Sequence, residues 1–224
     1  MSTGKISLVI FDCDGVLIDS EGLSREVVTE EATRLGWALD EAGATAFTGR
    51  RWSDLQADFE AAIHRNLPAD WPLYMQQKLI ARMTDGVQAI PGAADALRGT
   101  TALGLPYRIA SNSSHEEMQA KFAAVGLAGL VTGRCHSAKD VGIGKPSPDL
   151  FLAAAAAQGV APSGCLVVED SRPGVTAAIR AAMRCVAYIP HGDIFGLAAL
   201  GATPIRSLHD LLPLLQASLQ DHAA

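Results

Sequence analysis

Phe11-Asp12-Cys13-Asp14-Gly15-Val16 follows directly on an apolar run from Ile6 to Phe11 that only Ser7 interrupts. A continuous apolar run, rather than an alternating one, suits a strand covered on both faces, as in a parallel sheet. In open parallel sheets ligands bind at the carboxyl ends of the strands. Two carboxylates spaced i and i+2 at such an end repel one another and need a cation or a shared proton. A hard divalent ion such as magnesium suits oxygen ligands of this kind.

Similar short runs lie at Tyr107 to Ala110 (broken by Arg108), Cys165 to Val168 and Cys185 to Tyr188. Small or polar residues follow each, and most lead into a helical pattern. That alternation predicts an α/β fold with a parallel sheet. The stretch from about Glu21 to Val87 differs. It shows no convincing strand, and apolar spacings of three and four, as in Leu55, Phe59 and Ile63, predict helices over 21–35, 53–65 and 70–83. Pro91-Gly92 marks a turn, after which the sheet pattern resumes. A short strand is expected near Thr203 to Arg206, then a helix from about Leu208 to Leu219 in which Pro213 makes a kink or the true start. The expected organisation is a Rossmann-like parallel-sheet core flanked by helices, over 1–19 and 88–224, with an all-helical cap domain inserted over 20–87.

Hydrophobic residues make up 49% of the 224 and charged residues 19%, enough apolar material for a sizeable core. The net charge is −6 and no Lys/Arg cluster stands out, which argues against nucleic acid as a partner. Arg50-Arg51 is too small for a phosphate-backbone track but sufficient for one small anion. Cys13, Cys135, Cys165 and Cys185 form no CxxC pair, so neither zinc nor redox chemistry is suggested and buried reduced thiols are expected. No apolar run would span a bilayer, and the first residues lack the apolar stretch of a signal peptide. A cytoplasmic setting without membrane contact is expected. Nothing resembles a dimerisation heptad, so a monomer is expected.

Three further segments carry chemistry. Ser111-Asn112-Ser113-Ser114 lies between a strand and a helix expected over 116–125, where hydroxyls and backbone N–H groups suit a phosphate. It also reads as an ordinary cap, with Ser113 or Ser114 and Glu116 or Glu117 forming a capping box. Gly144-Lys145-Pro146-Ser147-Pro148-Asp149 fixes a lysine beside two prolines, where an ammonium can neutralise a phosphoryl group or a carboxylate. Glu169-Asp170-Ser171 ends another apolar strand with two acids. Each segment alone also reads as a cap, a turn or a solvent-facing loop. Together they place acids, hydroxyls and a lysine along one edge of one sheet.

In order and wording these segments resemble the haloacid-dehalogenase superfamily. FDCDGVLIDSE is similar to its first motif, ASNSS to the second, GKPSPD to the third and VVEDS to the fourth. The likeness covers nearly the whole chain, and the helical insert resembles the cap of the branch containing β-phosphoglucomutase and sugar-phosphate phosphatases. Ala182 stands where that family commonly has glycine, a departure expected to be harmless. The resemblance implies a magnesium-dependent phosphatase acting on a small phosphorylated metabolite, a sugar or sugar-acid phosphate, through an aspartyl-phosphate. Asp12 would be the nucleophile and Asp14 the acid–base group with a free side chain. Asp12, Asp170 and the backbone carbonyl of Asp14 would hold Mg2+, with Glu169 behind them or as an alternative ligand. Ser111, Asn112 and Lys145 would hold the phosphoryl oxygens. The cap loop Phe47-Thr48-Gly49-Arg50-Arg51-Trp52 would face the substrate, with Arg50 or Arg51 anchoring a second anionic group. A phosphomutase is the alternative, weakened because the positions of that enzyme's cap histidine and arginine fall on Ser24 and Trp52. A non-catalytic binder would be expected to lack a nucleophile or metal ligand, and this chain keeps them.

Overall fold

The computed structural model describes residues 5–47, 50–83, 86–192 and 195–220. Strand β1 (Leu8–Phe11) turns into a two-residue strand, β2 (Ile18–Asp19). Four helices follow: α1 (Glu21–Arg34), α2 (Glu41–Phe47), α3 (Trp52–Ile63) and α4 (Trp71–Met83). Strand β3 (Gln88–Ala89) then pairs antiparallel with β2, so the helical insert leaves and rejoins the core through a two-stranded hinge. Next come α5 (Ala93–Ala102), β4 (Tyr107–Ser111), α6 (His115–Ala124), α7 (Ala128–Val131), β5 (Cys135–Ser137), α8 (Ala138–Val141) and α9 (Asp149–Ala157). The chain continues with β6 (Cys165–Glu169), α10 (Arg172–Arg180), β7 (Arg184–Tyr188), α11 (Phe195–Ala198), β8 (Thr203–Ile205) and α12 (Leu211–Gln220).

Six strands form one sheet in the order β5-β4-β1-β6-β7-β8, every adjacent pair parallel. The expected α/β core is thus present. The unbroken apolar run of β1 is explained by its two covered faces. Val9 and Phe11 pack with Met118, Phe122 and Leu211 on one side. Leu8 and Ile10 pack with Leu150, Phe151 and Val175 on the other. From β1 the chain builds first toward β4 and β5, then toward β6, β7 and β8. The order therefore reverses at β1, and a crevice opens beyond its carboxyl end between β4 and β6. Phe11 stands level with Ile109 of β4 and Val168 of β6, which brings Asp12, Ser111 and Glu169 to one edge.

The expected helices over 21–35, 53–65 and 70–83 are observed within two residues at each end. Helix α2, strand β5 and the hinge strands had no sequence signal. The hinge strands are two residues each, and β5 is a three-residue edge strand containing His136, so none is long enough to show a period. Pro213 falls in the first turn of α12, where its missing N–H costs no hydrogen bond, so it marks the start and not a kink. Thr48 and Gly49 of the expected cap loop lie outside the described residues.

The expectation for Ala182 needs correcting. It closes α10 with φ of 57° and is exposed, a left-handed backbone that glycine adopts without strain. Ala182→Gly is expected to raise the unfolding free energy by about 1 kcal/mol or less, after the larger unfolded-state entropy of glycine is set against the relieved strain. Urea titration of both proteins checks this, and a destabilised variant would mean that alanine bears no strain there.

Candidate active site

Asp12 continues β1 by one residue, its N–H donating to the Val168 carbonyl at 2.9 Å. Lys145 Nζ lies 2.5 Å from Asp12 Oδ1 and 2.6 Å from Glu169 Oε1. The lysine side chain is 4% exposed, so this is a buried ion triad. Asn112 Oδ1 accepts from the Lys145 backbone N–H at 2.9 Å and clamps the lysine loop against the end of β4. Asn112 thus contributes first to placing Lys145, a contact the sequence did not show.

Glu169 is fully buried, and its second oxygen accepts from the Asp170 and Ser171 backbone N–H groups and from Ser171 Oγ. Ser171 in turn caps α10 by accepting from the Gly174 N–H. Gly174 has to be glycine, because a Cβ would sit 1.8 Å from the Glu169 carboxyl carbon. Gly15 is equally constrained: its φ is +78°, and a Cβ would meet Asp170 Oδ2 at 1.8 Å.

Asp12, Glu169 and Asp170 offer carboxylate oxygens that all lie within 4.8 Å of one another. Burial, with Glu169 and Asp14 nearby, pushes the Asp12 carboxyl up to about 7 against the pull of Lys145. Burial together with the Glu169 and Asp12 charges pushes Asp170 well up as well. Such crowding is what a hard divalent cation would relieve, and an all-oxygen donor set suits magnesium. Glu169 is already anchored by four donors, which leaves Asp12 and Asp170 as the carboxylates better placed to hold an ion.

The Asp14 side chain, expected to be free of the metal, makes hydrogen bonds that the sequence did not show. Lys121 Nζ lies 2.5 Å from its Oδ1, and Ser20 Oγ donates to the same oxygen. Ser111 and Ser113 hydroxyls donate to Oδ2 at 3.2 and 2.9 Å. Burial alone would raise its pKa, but the Lys121 charge and these hydrogen bonds outweigh that and hold it low. The carboxylate stands outside the three-acid cluster, so any metal contact by Asp14 falls to its backbone. Lys121 was missed in the sequence. Its signal is a lysine on the buried face of α6, between Met118 and Phe122. The capping box of α6 is formed by Ser114 and Glu117.

These groups line a cavity of about 430 Å³ between the sheet edge and the helical insert. Arg50, Arg51 and Trp52 line it too, but their polar groups are engaged. Arg51 forks onto Asp54 at 2.8 and 2.9 Å and donates to the Gly142 carbonyl at 3.1 Å. Arg50 pairs with Asp58 at 2.8 Å. Trp52 Nε1 donates to Glu117 Oε1 at 3.0 Å, and Gln76 donates to Glu116 at 2.6 Å, so the insert is latched onto α6.

A parallel sheet whose order reverses at an acid–lysine centre, covered by a helical insert, defines an α/β enzyme of the hydrolase type. The chain belongs to the haloacid dehalogenase-like hydrolase family, whose model matches residues 6–182. It is 34% identical over 195 residues to Protein SUPPRESSOR OF QUENCHING 1, chloroplastic, of Arabidopsis thaliana, which covers 82% of this chain and 18% of that protein. It spans 48% of a second Arabidopsis relative. With hexitol phosphatase A of Escherichia coli it shares 30% identity over 199 residues, 82% of this chain and 83% of that one. A HAD family hydrolase from Deinococcus radiodurans R1, solved with bound phosphate and sodium, superposes with a TM-score of 0.75 at 34% identity, covering 96% of this chain and 97% of that one. Among the described residues no helix is long and apolar enough to cross a membrane.

Proposed function

We propose that the chain is a magnesium-dependent phosphatase that hydrolyses a small phosphorylated metabolite, a sugar or sugar-acid phosphate, through a covalent phosphate on Asp12. The observation that carries this is the Asp12 carboxylate, held 2.5 Å from the buried Lys145 ammonium beside two further acids at the switch point of the sheet. An Asp12 oxygen attacks phosphorus and the bond to the ester oxygen breaks. The departing oxygen takes a proton from Asp14, whose carboxyl has to gain that proton as the anionic ester binds beside it and offsets the Lys121 charge. Water then attacks the aspartyl-phosphate, gives a proton back to Asp14 and releases inorganic phosphate with Asp12 regenerated. Lys145 and the Ser111 hydroxyl stabilise the phosphoryl oxygens, with Asn112 holding the lysine loop in place. Asp12 and Asp170, with Glu169 behind them, would hold magnesium, which neutralises charge on the carboxylates and the phosphoryl group.

The sugar-phosphate reading is supported by the hexitol phosphatase relative and by a second Escherichia coli relative named 6-phosphogluconate phosphatase, 29% identical over 182 residues. The cavity lining agrees with a hydroxylated substrate, since the Ser24 and Ser53 hydroxyls are part of it. No histidine stands among the described residues lining it, so Ser24 and Trp52 leave a mutase without a cap base. An acidic group on the substrate would have to displace Asp54 from Arg51 or Asp58 from Arg50. Lys139, which donates to the neutral Gln76 amide oxygen at 3.0 Å, is the easier cation to recruit. The helical insert is proposed to act as a lid that excludes water in the first step.

Phosphate release from a panel of sugar and sugar-acid phosphates tests this, run with magnesium, with EDTA and with magnesium restored. Turnover is expected to fall to background in EDTA and to return with the ion. Activity indifferent to EDTA would overturn the metal-dependent scheme.

A further inference from the structure

Lys121 is a second buried lysine that the phosphoryl chemistry above does not use. Its side chain is 2% exposed although it lies on α6, a helix that otherwise turns Met118 and Phe122 toward the core. An apolar residue of similar length would fill that place without desolvating a charge. Buried ion pairs often stabilise no more than the apolar groups that could replace them. The location of Lys121 therefore asks for a reason beyond packing.

Its partners supply one. Nζ lies 2.5 Å from Asp14 Oδ1 and 2.7 Å from Ser113 Oγ, and Ser113 Oγ donates to Asp14 Oδ2 at 2.9 Å. Lys121 and Ser113 thus grip both oxygens of one carboxylate. Ser20 joins them from the hinge. It occupies the N-cap position of α1, yet its hydroxyl makes no capping bond and donates to Asp14 instead. The Asp14 carboxylate is held between the hinge of the insert, the turn before α6 and the ammonium of Lys121, all on the wall of the same cavity.

We propose that Lys121 is a positioning residue for Asp14. It fixes the carboxylate in the orientation from which it exchanges a proton with the ester oxygen and then with water. Lys121 acts through Asp14 and not on the phosphoryl group, which Lys145 serves from its place against Asp12 and Glu169. This rests on the phosphatase reading above and adds to it the residue that sets the aim of its acid–base group.

The test exploits the leaving group. An alkyl alcohol must be protonated as it departs, whereas p-nitrophenolate departs without a proton. Lys121→Met is expected to lower kcat/KM, which reports only the steps up to departure of the alcohol, by about 100-fold on an alkyl phosphate, the lower range of what a positioned acid contributes. On p-nitrophenyl phosphate the loss in kcat/KM should stay under about tenfold, and Lys121→Arg should restore part of the difference. In an Asp14→Asn background, Lys121→Met should cost nothing more, because its target is gone. Equal losses on the two esters, or the same loss with and without Asp14, would overturn the proposal. If the single variant does not fold, Lys121→Met/Asp14→Asn, which removes both charges, is compared with Asp14→Asn alone. Equal rates then support the proposal, and a further loss overturns it. A wild-type enzyme that releases no phosphate from either ester would instead be a failure of the phosphatase reading.

Discussion

Asp12→Asn is expected to abolish turnover, lowering kcat by on the order of 10⁴-fold or more, as loss of a covalent nucleophile does in other enzymes. Asparagine keeps the shape and lets the chain still donate to the Val168 carbonyl, but an amide oxygen is a poor nucleophile toward phosphorus. The loss should not come from unfolding. Burial and neighbouring acids push the Asp12 carboxyl up to about 7, so its charge is unfavourable in the metal-free fold. At pH 8 without metal the variant should therefore melt at or above the native temperature. Phosphate-release kinetics and a thermal melt check the two halves separately. Near-native activity in the variant would remove Asp12 from the mechanism.

Lys145→Met is expected to damage both the fold and the chemistry. Its ammonium is the cation between Asp12 and Glu169, and its side chain is 4% exposed. Removing one partner of a buried ionic group leaves charge uncompensated, at a cost of about 3–5 kcal/mol. The pH dependence has a definite sign. Without the lysine, whose charge lowers them, the Asp12 and Asp170 carboxyls are raised further above their unfolded values. Carboxyls raised in the folded state favour folding at low pH, and that contribution is lost as pH rises through the folded value. The metal-free variant should therefore regain stability when the pH is lowered from about 8 to about 6. Native protein in EDTA should show the same trend more weakly, governed by Asp12 near 7, and magnesium should flatten it. A variant as stable as the native chain at pH 8 would show that Lys145 compensates nothing.

How much of this was legible in the sequence depends on range. Ile6 to Phe11 revealed a strand with two covered faces because hydrophobic composition is a local property. The helices of the insert were visible because their apolar faces repeat over more than ten residues. The hinge strands β2 and β3 were not, since two residues carry no period and form only when 18–19 meets 88–89. Lys145 stood out because prolines flank it. Lys121 did not, because nothing near it in sequence tells that Asp14 lies across from it, 107 residues away.

The sequence by itself determined the α/β core, the helical insert and the set of acids, hydroxyls and one lysine at the strand ends, because strand ends and their residues are adjacent in the chain. Only the tertiary structure decided which of these groups touch. It paired Lys145 with Asp12 and Glu169, turned Asn112 toward the Lys145 loop, and tied Asp14 to Lys121 and Ser20. It also engaged Arg50 and Arg51 with Asp58 and Asp54. Buried charges must find partners, and the order in which parallel strands assemble decides which partners are within reach.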